Sequence, residues 1–288
     1  MQERELLTGS APAKVNLTLE VLHRRPDGYH ELASVMQTLE LADTVTVELG
    51  GDGIEVSGPF AAGTPCDETN LAWRAARTLL AELGAERERL GIRIEKRIPP
   101  AGGLGGGASD AATVLRLLGW RFRAPEELLF RCAASVGSDE PFFLVGGTAL
   151  VRGRGERVEP LPPLPPHGVV LIAPRHDLPR KTATMFAALG ETGFDDGSAT
   201  ARLVRSLPRR VTSGELYNRF EPVARQLVPG LADLWAEAER LAGAPFRLAG
   251  AGPTLFWIGP PAAAEAVAAA LRPLAARAAI IHTRTAGE

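Results

Sequence analysis

The residues with the clearest capacity for chemistry form a glycine-rich segment from Pro99 to Ser109. It reads PPAGGLGGGAS and places five glycines between a strand pattern and a helix pattern. Glycine has no Cβ atom, so the backbone N–H groups of such a loop can approach a phosphate, and the N-terminal end of the following helix adds partial positive charge. The segment therefore predicts an anion site. A flexible connector or tight turn is the alternative that one or two glycines would favour.

Two common nucleotide-binding patterns do not fit this segment. GxxxxGK[ST] requires a lysine after its last glycine, and GxGxxG fails because Ala108 stands at its final position. The flanking strand patterns suggest antiparallel pairing, whereas dinucleotide-binding folds use parallel strands. An NAD(P)-dependent oxidoreductase would rest on glycine content alone and is disfavoured.

Composition narrows the possible partners. The formal net charge is −2, from 32 basic and 34 acidic residues, so no overall positive field exists to hold nucleic acid or an anionic membrane. Two distant cysteines and five histidines without helical i, i+4 spacing predict no protein-bound metal centre. A charged amino terminus and the lack of an apolar run of about 18 residues predict a cytoplasmic protein without a membrane partner.

The flanking elements must position this segment. Apolar and polar residues alternate over 14–21, which predicts a strand that carries Lys14 and Asn16 on its polar face. A turn is predicted at Arg25-Pro26-Asp27-Gly28, and a strand over residues 92–98 leads into the glycines.

The remaining pattern predicts an α+β fold in two domains, each a mainly antiparallel sheet with helices. The predicted helices cover residues 70–83, 110–119, 125–137 and 261–276, and the predicted strands cover 142–151, 169–173, 246–249, 254–258 and 279–283. The proline-dense segment EPLPPLPPHG at 159–168 marks a connection between domains. We therefore expect an N-terminal nucleotide-binding domain at 1–160 and a C-terminal domain at 161–288.

Four motifs in order resemble the GHMP kinase superfamily across nearly the whole chain. They are APAKVNLTLEVLHRRPDGYHEL from Ala11, IPPAGGLGGGASDAA from Ile98, GSDEPFFLVGGTAL from Gly137 and LAGAGPTLF from Leu248. Within the superfamily, the combination of PAKVN, DGYH and GLGGG resembles the branch that phosphorylates a cytidine diphosphate conjugate of methylerythritol. The resemblance implies two α+β domains with the active site in the cleft between them.

The resemblance also implies the chemistry. ATP with Mg²⁺ would phosphorylate the 2-hydroxyl of 4-diphosphocytidyl-2-C-methyl-D-erythritol, and no obligate protein partner is expected. Asp139 matches the position of the base, and Lys14 would hold that carboxylate ionised and neutralise negative charge during transfer. As isolated residues, Asp139 could equally be a helix cap and Lys14 a solvated strand lysine.

Further positions are implied by the same matches. The ATP phosphates would contact Pro99, Gly102, Gly103, Leu104, Gly105, Gly106, Gly107, Ala108 and Ser109. Asn70, Leu71 and Lys96 would lie near the adenine. Ser109 could also cap the following helix. The substrate would contact Asn16 through its methylerythritol part, and Tyr29, His30 and Phe186 through its cytosine. Tyr29 and Phe186 could instead be packing residues.

Several residues depart from the family pattern. They are Ala108, Ser138, Glu140, Ala249, Ala251 and Pro253. Hydroxyl groups are lost at some of these positions while the backbone amides remain, so we expect altered affinity with the mechanism intact. Two alternatives stay open: another GHMP kinase acting on homoserine, a sugar or mevalonate, and a catalytically inactive nucleotide-binding regulator.

Overall fold

The computed structural model describes residues 5–175, 181–190 and 193–287, with the backbone alone for Lys181 and Thr182. The strands are β1 Glu5–Arg24, β2 His30–Leu49, β3 Gly53–Ser57, β4 Leu90–Glu95, β5 Thr148–Gly153, β6 Arg157–Pro160, β7 Gly168–Pro174, β8 Tyr217–Asn218, β9 Arg247–Leu248, β10 Leu255–Gly259 and β11 Ala278–Arg284. The helices are α1 Leu71–Glu82, α2 Gly106–Phe122, α3 Glu126–Val136, α4 Glu140–Val145, α5 Lys181–Leu189, α6 Ser198–Ser206, α7 Glu221–Leu227, α8 Leu231–Ala242 and α9 Pro261–Ala270. The predicted α+β class is confirmed.

The chain divides into two compact units, each built from separate stretches of sequence. The first unit contains the described residues up to Ala13, together with Leu41–Pro100 and Gly105–Gly146. The second contains Lys14–Glu40, Ala101–Leu104 and the described residues from Gly147 onward. The sequential boundary predicted at residue 160 stays a prediction.

The first unit packs four helices on a small sheet. The second part of β2 pairs antiparallel with β4, Thr44 lying opposite Glu95, and β3 pairs parallel with β4. Helix α1 packs on α2 and α3, and α2 packs on α4. Alternating valines and isoleucines of β2 and β4 are buried beneath these helices because one face of each strand is apolar. This core supports the strand that enters the glycine-rich segment and the helix that leaves it.

Helix ends in the first unit follow local chemistry. Asn70 caps α1 by accepting the N–H of Ala72 at 2.9 Å, and Gly84 follows the helix with φ 66°. Helix α2 begins at Gly106, four residues before the predicted start. A Cβ on Gly106 would lie 3.2 Å from the side chain of Ile98, so the first turn of α2 packs closely against the residues that follow β4.

The strand predicted over 142–151 is wrong in its first part. Residues from Glu140 to Val145 form α4, and the strand begins only at Thr148. Asp139 is the residue before the helix, Pro141 lies in its first turn, and Gly146 ends it with φ 73°. A short apolar run fits either element, so the pattern alone did not decide between them.

The second unit contains two groups of paired strands. The second part of β1 pairs parallel with β8, and the first part of β2 pairs antiparallel with β5. The second group is a separate four-stranded sheet in the order β11-β7-β10-β9, and all of its strand pairs are antiparallel. Helix α9 packs on β7 and ends at Ala270 instead of the predicted 276, because the chain turns into a 3₁₀ segment at Arg272–Leu274. No helix in the described part of the chain is long and apolar enough to cross a membrane.

Candidate active site

Two glycine-rich loops pack backbone to backbone within the second unit. Gly103 has φ 83°, and a Cβ on it would overlap the carbonyl oxygen of Ala249 and lie 3.1 Å from the nitrogen of Gly252. The N–H of Thr254 donates to the carbonyl of Gly102 at 3.2 Å. Both the backbone conformation and the lack of space therefore require glycine at position 103.

Lys14 lies beside these loops. Its side chain is 3% exposed, and its Nζ donates to Oδ1 of Asn16 at 2.8 Å. The backbone N–H of Lys14 donates to the carbonyl of Leu104 at 2.9 Å, and a Cβ on Gly250 would lie 3.2 Å from Nζ. The structure thus brings Lys14 and Asn16 together as predicted, and places the ammonium group next to both loops. A buried cation in this position can neutralise anionic charge.

The polar face of β1 continues away from Lys14 as a hydrogen-bonded network. Asn16 donates through Nδ2 to Oγ of Ser34 at 2.9 Å, and Thr18 Oγ1 accepts from the backbone N–H of Val35 at 3.0 Å. The carboxylate of Glu20 accepts the N–H groups of Ala199 and Thr200 at the start of α6. Sequence reasoning singled out Asn16 but not Thr18 or Glu20, although the same period-2 alternation places both on this face.

Asn218 is a second residue that sequence reasoning missed. It is 3% exposed, and its Nδ2 donates to the carbonyls of Leu248 and Gly250 at 2.8 and 2.7 Å. Its Oδ1 accepts the N–H of Phe220 at 2.9 Å. This one side chain therefore fixes the second glycine-rich loop. No local signal in the sequence separates it from an ordinary turn asparagine.

The start of α2 carries buried polar side chains. The residue before the helix is Gly105, with φ 73°, so the predicted capping role of Ser109 is wrong: Ser109 is the fourth residue of the helix. Its N–H donates to the carbonyl of Gly105 at 2.9 Å. Its Oγ is buried and has no hydrogen-bond partner among the described residues. Ala108 is also buried, whereas Gly107 at the helix start is exposed.

Lys96 lies in a buried group of charges in the first unit. Its Nζ contacts a carboxylate oxygen of Asp43 and lies 2.6 Å from Oδ2 of Asp110, and all three residues are at most 2% exposed. The two carboxylates outweigh the effect of burial and raise the pKa of Lys96. Burial, with repulsion from Asp43, raises the pKa of Asp110 to about 7 despite the nearby ammonium. The predicted adenine contact of Lys96 stays a prediction.

The other predicted adenine residues lie at the start of α1. The side chain of Asn70 is occupied by its cap bond and by donation from Nδ2 to the carbonyl of Pro65 at 2.8 Å. Leu71 is half-buried, and its Cδ1 lies 3.4 Å from the Cβ position of Gly107. Leu71 therefore borders the glycine-rich segment. Pro99, at the other end of that segment, is buried.

Asp139 precedes α4 and is partly exposed. The neighbouring Glu140 is 2% exposed, and its carboxylate folds over Gly137, where a Cβ would overlap it. Burial, followed by the nearby charge of Asp139, raises the pKa of Glu140 to about 7, although N–H groups at the helix start favour its ionised form. Asp139 belongs to the first unit and Lys14 to the second, and their pairing stays a prediction.

An aromatic group in the second unit contains the residues predicted to hold a pyrimidine. The rings of His30 and Phe186 are stacked with centroids 4.8 Å apart, and Phe186 meets Phe220 edge to face. Burial, with the charge of Arg24, lowers the pKa of His30, so its imidazole is mainly neutral near pH 7. Tyr29 is 49% exposed, and the guanidinium of Arg154 lies 4.8 Å from its ring centroid.

Two kinds of sequence comparison relate this chain to known proteins. The sequence matches the GHMP kinases N terminal domain over residues 70–147 and the GHMP kinases C terminal domain over residues 201–275. The 4-diphosphocytidyl-2-C-methyl-D-erythritol kinase of Pelotomaculum thermopropionicum is 40% identical over 260 residues, which cover 87% of this chain and 88% of that protein. The kinase of the same name from Dehalococcoides mccartyi is 41% identical with the same coverage.

Solved structures give the same result. A crystal structure of 4-(cytidine 5'-diphospho)-2C-methyl-D-erythritol kinase aligns with a TM-score of 0.77 at 35% identity, covering 98% of this chain and all of the other. A mevalonate kinase from L. major, at 15% identity and a TM-score of 0.71, shares the fold. With similarity to named relatives over 87% or more of its length and both domain matches, this chain belongs to the GHMP kinases, in the family of 4-diphosphocytidyl-2-C-methyl-D-erythritol kinases.

Proposed function

We propose that this chain transfers the γ-phosphoryl group of ATP to the 2-hydroxyl of 4-diphosphocytidyl-2-C-methyl-D-erythritol, a step of the non-mevalonate isoprenoid pathway. The observation that carries the proposal is the buried Lys14 ammonium beside the backbones of both glycine-rich loops. Phosphoryl transfer depends on positioning and on neutralising negative charge, and this arrangement supplies both. The names of the relatives supply the substrate.

The phosphate donor, ATP, is assigned to the first glycine-rich loop and the residues beside it. The phosphates of ATP would lie along the segment from Pro99 to Ser109, with the adenine near Leu71. Ser109 Oγ is buried without a hydrogen-bond partner among the described residues, which suits a contact with a phosphate or with the Mg²⁺ that accompanies ATP. When bound, that ion would supply charge neutralisation on the phosphates.

On the acceptor side, Asp139 would take the proton of the 2-hydroxyl as the new bond forms, and Lys14 would stabilise the shared negative charge. Asn16, already hydrogen-bonded to Lys14, would contact the methylerythritol part. A neutral His30 both donates and accepts hydrogen bonds, as recognition of a cytosine edge requires. Tyr29 and Phe186 would provide aromatic faces for the ring.

The organisation proposed around this chemistry is an N-terminal domain at 1–160 and a C-terminal domain at 161–288. The two family matches fall on either side of that boundary, which supports it. A cytoplasmic location and a protein without an obligate partner are part of the same proposal.

The test is ADP release by the purified protein from Mg²⁺·ATP, with and without 4-diphosphocytidyl-2-C-methyl-D-erythritol. Release should depend on that acceptor and should fall by at least about a hundredfold in Asp139→Asn. Glu126→Gln, an exposed carboxylate on α3, is the control that should keep normal turnover. Stimulation only by homoserine, a sugar or mevalonate would assign another GHMP kinase activity. Normal ATP binding without transfer to any acceptor would indicate an inactive regulator.

A further inference from the structure

The glycine-rich segment is joined to the first unit at two places, the end of β4 and the start of α2. Both places carry a buried charged side chain: Lys96 just after β4 and Asp110 in α2. Their polar atoms lie 2.6 Å apart, and Lys96 also contacts Asp43, which comes from β2. Three elements are therefore linked by one ammonium group.

Asp43 extends the link to the backbone. Its Oδ1 accepts the N–H of Arg97 and the N–H of Ile98, the latter at 2.8 Å, directly before the two prolines that open the segment. The backbone of Lys96 is also fixed, since its N–H donates to the carbonyl of Ser57 at 2.7 Å and Gly58 packs against it. The strand end can therefore shift little while Asp43 and Lys96 stay paired.

The helix side depends on the same ammonium group. Asp110 Oδ1 is buried and has no hydrogen-bond partner among the described residues, so Lys96 provides the hydrogen-bonded charge compensation of that carboxylate. A Cβ on Gly106 would lie 3.3 Å from Nζ, which places the first turn of α2 against Lys96 as well. A buried carboxylate without such a partner is strongly disfavoured.

We propose that Asp43, Lys96 and Asp110 act as positioning residues: they form a buried ionic clamp that sets the spacing of the two ends of the glycine-rich segment and so allows it to bind nucleotide phosphates. The proposal rests on the proposed function. It assigns Lys96 to the loop and not to the adenine, because its ammonium group is already paired with two carboxylates.

The test separates phosphate binding from base binding. Lys96→Met and Asp110→Asn are compared with the parent for binding of Mg²⁺·ATP, inorganic tripolyphosphate and adenosine, measured by calorimetry and by competition. The control is Arg93→Met on the same strand, β4, which removes an exposed guanidinium that pairs with the largely buried carboxylate of Glu48. Circular dichroism establishes that each variant is folded.

We expect both clamp variants to weaken ATP and tripolyphosphate by a similar factor, at least about tenfold, because loop geometry governs both ligands. Adenosine binding should stay within about twofold of the parent, and the control should bind all three ligands normally. The double variant Lys96→Met/Asp110→Asn should bind tripolyphosphate no more weakly than Lys96→Met alone, since both changes break one clamp. In turnover, KM for ATP should rise while KM for the alcohol acceptor is unchanged.

Three results would overturn the inference. One is loss of ATP and adenosine binding in Lys96→Met with tripolyphosphate binding retained, which would assign Lys96 to the adenine. Another is a folded Asp110→Asn that binds tripolyphosphate as the parent does, and this variant decides the matter if Lys96→Met does not fold. Failure of the parent itself to bind Mg²⁺·ATP would instead overturn the proposed function, and the clamp with it.

Discussion

At the scale of single residues, the contacts around the two glycine-rich loops leave little freedom for side chains. Gly103 has a positive φ and a carbonyl where its Cβ would stand. Gly63 has nearly the same φ, 81°, with nothing within 4 Å of its Cβ position. Gly103 is therefore required for both a conformational and a steric reason, whereas Gly63 is favoured for the conformational reason alone.

We predict that Gly103→Ala costs at least about 3 kcal/mol in the free energy of unfolding, because strain in the left-handed region adds to a backbone clash. The matched Gly63→Ala change should cost about 1 kcal/mol, from conformation alone. Urea denaturation measures both, and ATP binding should be lost only in the first. Equal costs would mean that the fit of Gly103 against Ala249 has no energetic importance.

Glu140 supports a pH prediction. Its pKa is about 7 in the folded protein, above the ordinary value of 4.5, so the folded state binds the proton more tightly than the unfolded chain. This contribution to stability is present below about pH 4.5 and is lost as the pH rises through about 7. Glu140→Gln removes the titration, so the variant should gain on the order of 2 kcal/mol relative to the parent between pH 5 and pH 8.

The measurement is chemical denaturation of parent and Glu140→Gln at both pH values, so that any pH-independent effect of the substitution cancels. Glu126→Gln, which changes an exposed glutamate, should show no such difference. A parent and variant that respond equally to pH would show that the Glu140 carboxyl titrates normally in the folded protein.

At the scale of elements, the sequence predicted what depends on local pattern. The strand carrying Lys14, the turn before Tyr29 and the helix predicted over 70–83 are all present, because hydrophobic periodicity and turn residues act within a few positions. The early start of α2 and the helix at α4 were missed, since they depend on how Gly106 packs against Ile98 and on how Pro141 and Gly146 delimit an apolar run.

In the candidate site too, the residues found from the sequence are those that a local pattern identifies, and the residues missed depend on distant contacts. Motif residues such as Lys14 and Asn16 were found because they lie in one strand. Asn218 and the ion pairs of Lys96 could not be found, since their partners lie about 30 or more positions away or depend on helix placement. The stacking of His30 on Phe186 is of the same kind: two residues each predicted, but their contact visible only in the structure.

At Asn218 we predict that the substitution closest in shape, Asn218→Asp, destabilises the fold more than Asn218→Ala does. Asn218→Ala leaves two loop carbonyls without donors, whereas Asn218→Asp places a carboxylate against those carbonyls at the same distance. We expect Asp to destabilise more than Ala, with losses of about 2 to 3 kcal/mol for Ala and more for Asp at pH 8. Denaturant unfolding gives the order. An Asp variant as stable as the Ala variant would mean that these bonds do not hold the loop.

At the scale of the whole molecule, His167 joins distant parts of the second unit. Its Nε2 accepts the N–H of Val211 at 2.9 Å, its Nδ1 contacts the carbonyl of Pro165, and its backbone pairs with Thr285. The side chain is fully buried, and burial lowers its pKa below the usual 6.5. The neutral ring therefore serves as a cross-link between segments more than 40 residues apart.

Because folding lowers the pKa of His167, its neutral ring contributes stability above about pH 6.5. This contribution is lost as the pH falls through the pKa of the folded state. His167→Gln should cost about 1 to 3 kcal/mol at pH 7.5 through lost buried hydrogen bonds. The gap between parent and variant should shrink toward pH 5. The exposed His282→Gln is the control and should show no such convergence. A gap that stays constant between these pH values would contradict a neutral, buried His167.

The close fit of Gly103 against Ala249 also has a consequence for recombination between related genes. The two loops lie about 145 positions apart in the sequence, yet neither backbone path can change without the other. Recombination between this gene and that of a relative would place loops of different origin against each other whenever the crossover fell between them. Crossovers outside that interval would transmit the pair as one unit, so chimaeras of this enzyme should divide into viable and non-viable sets by crossover position.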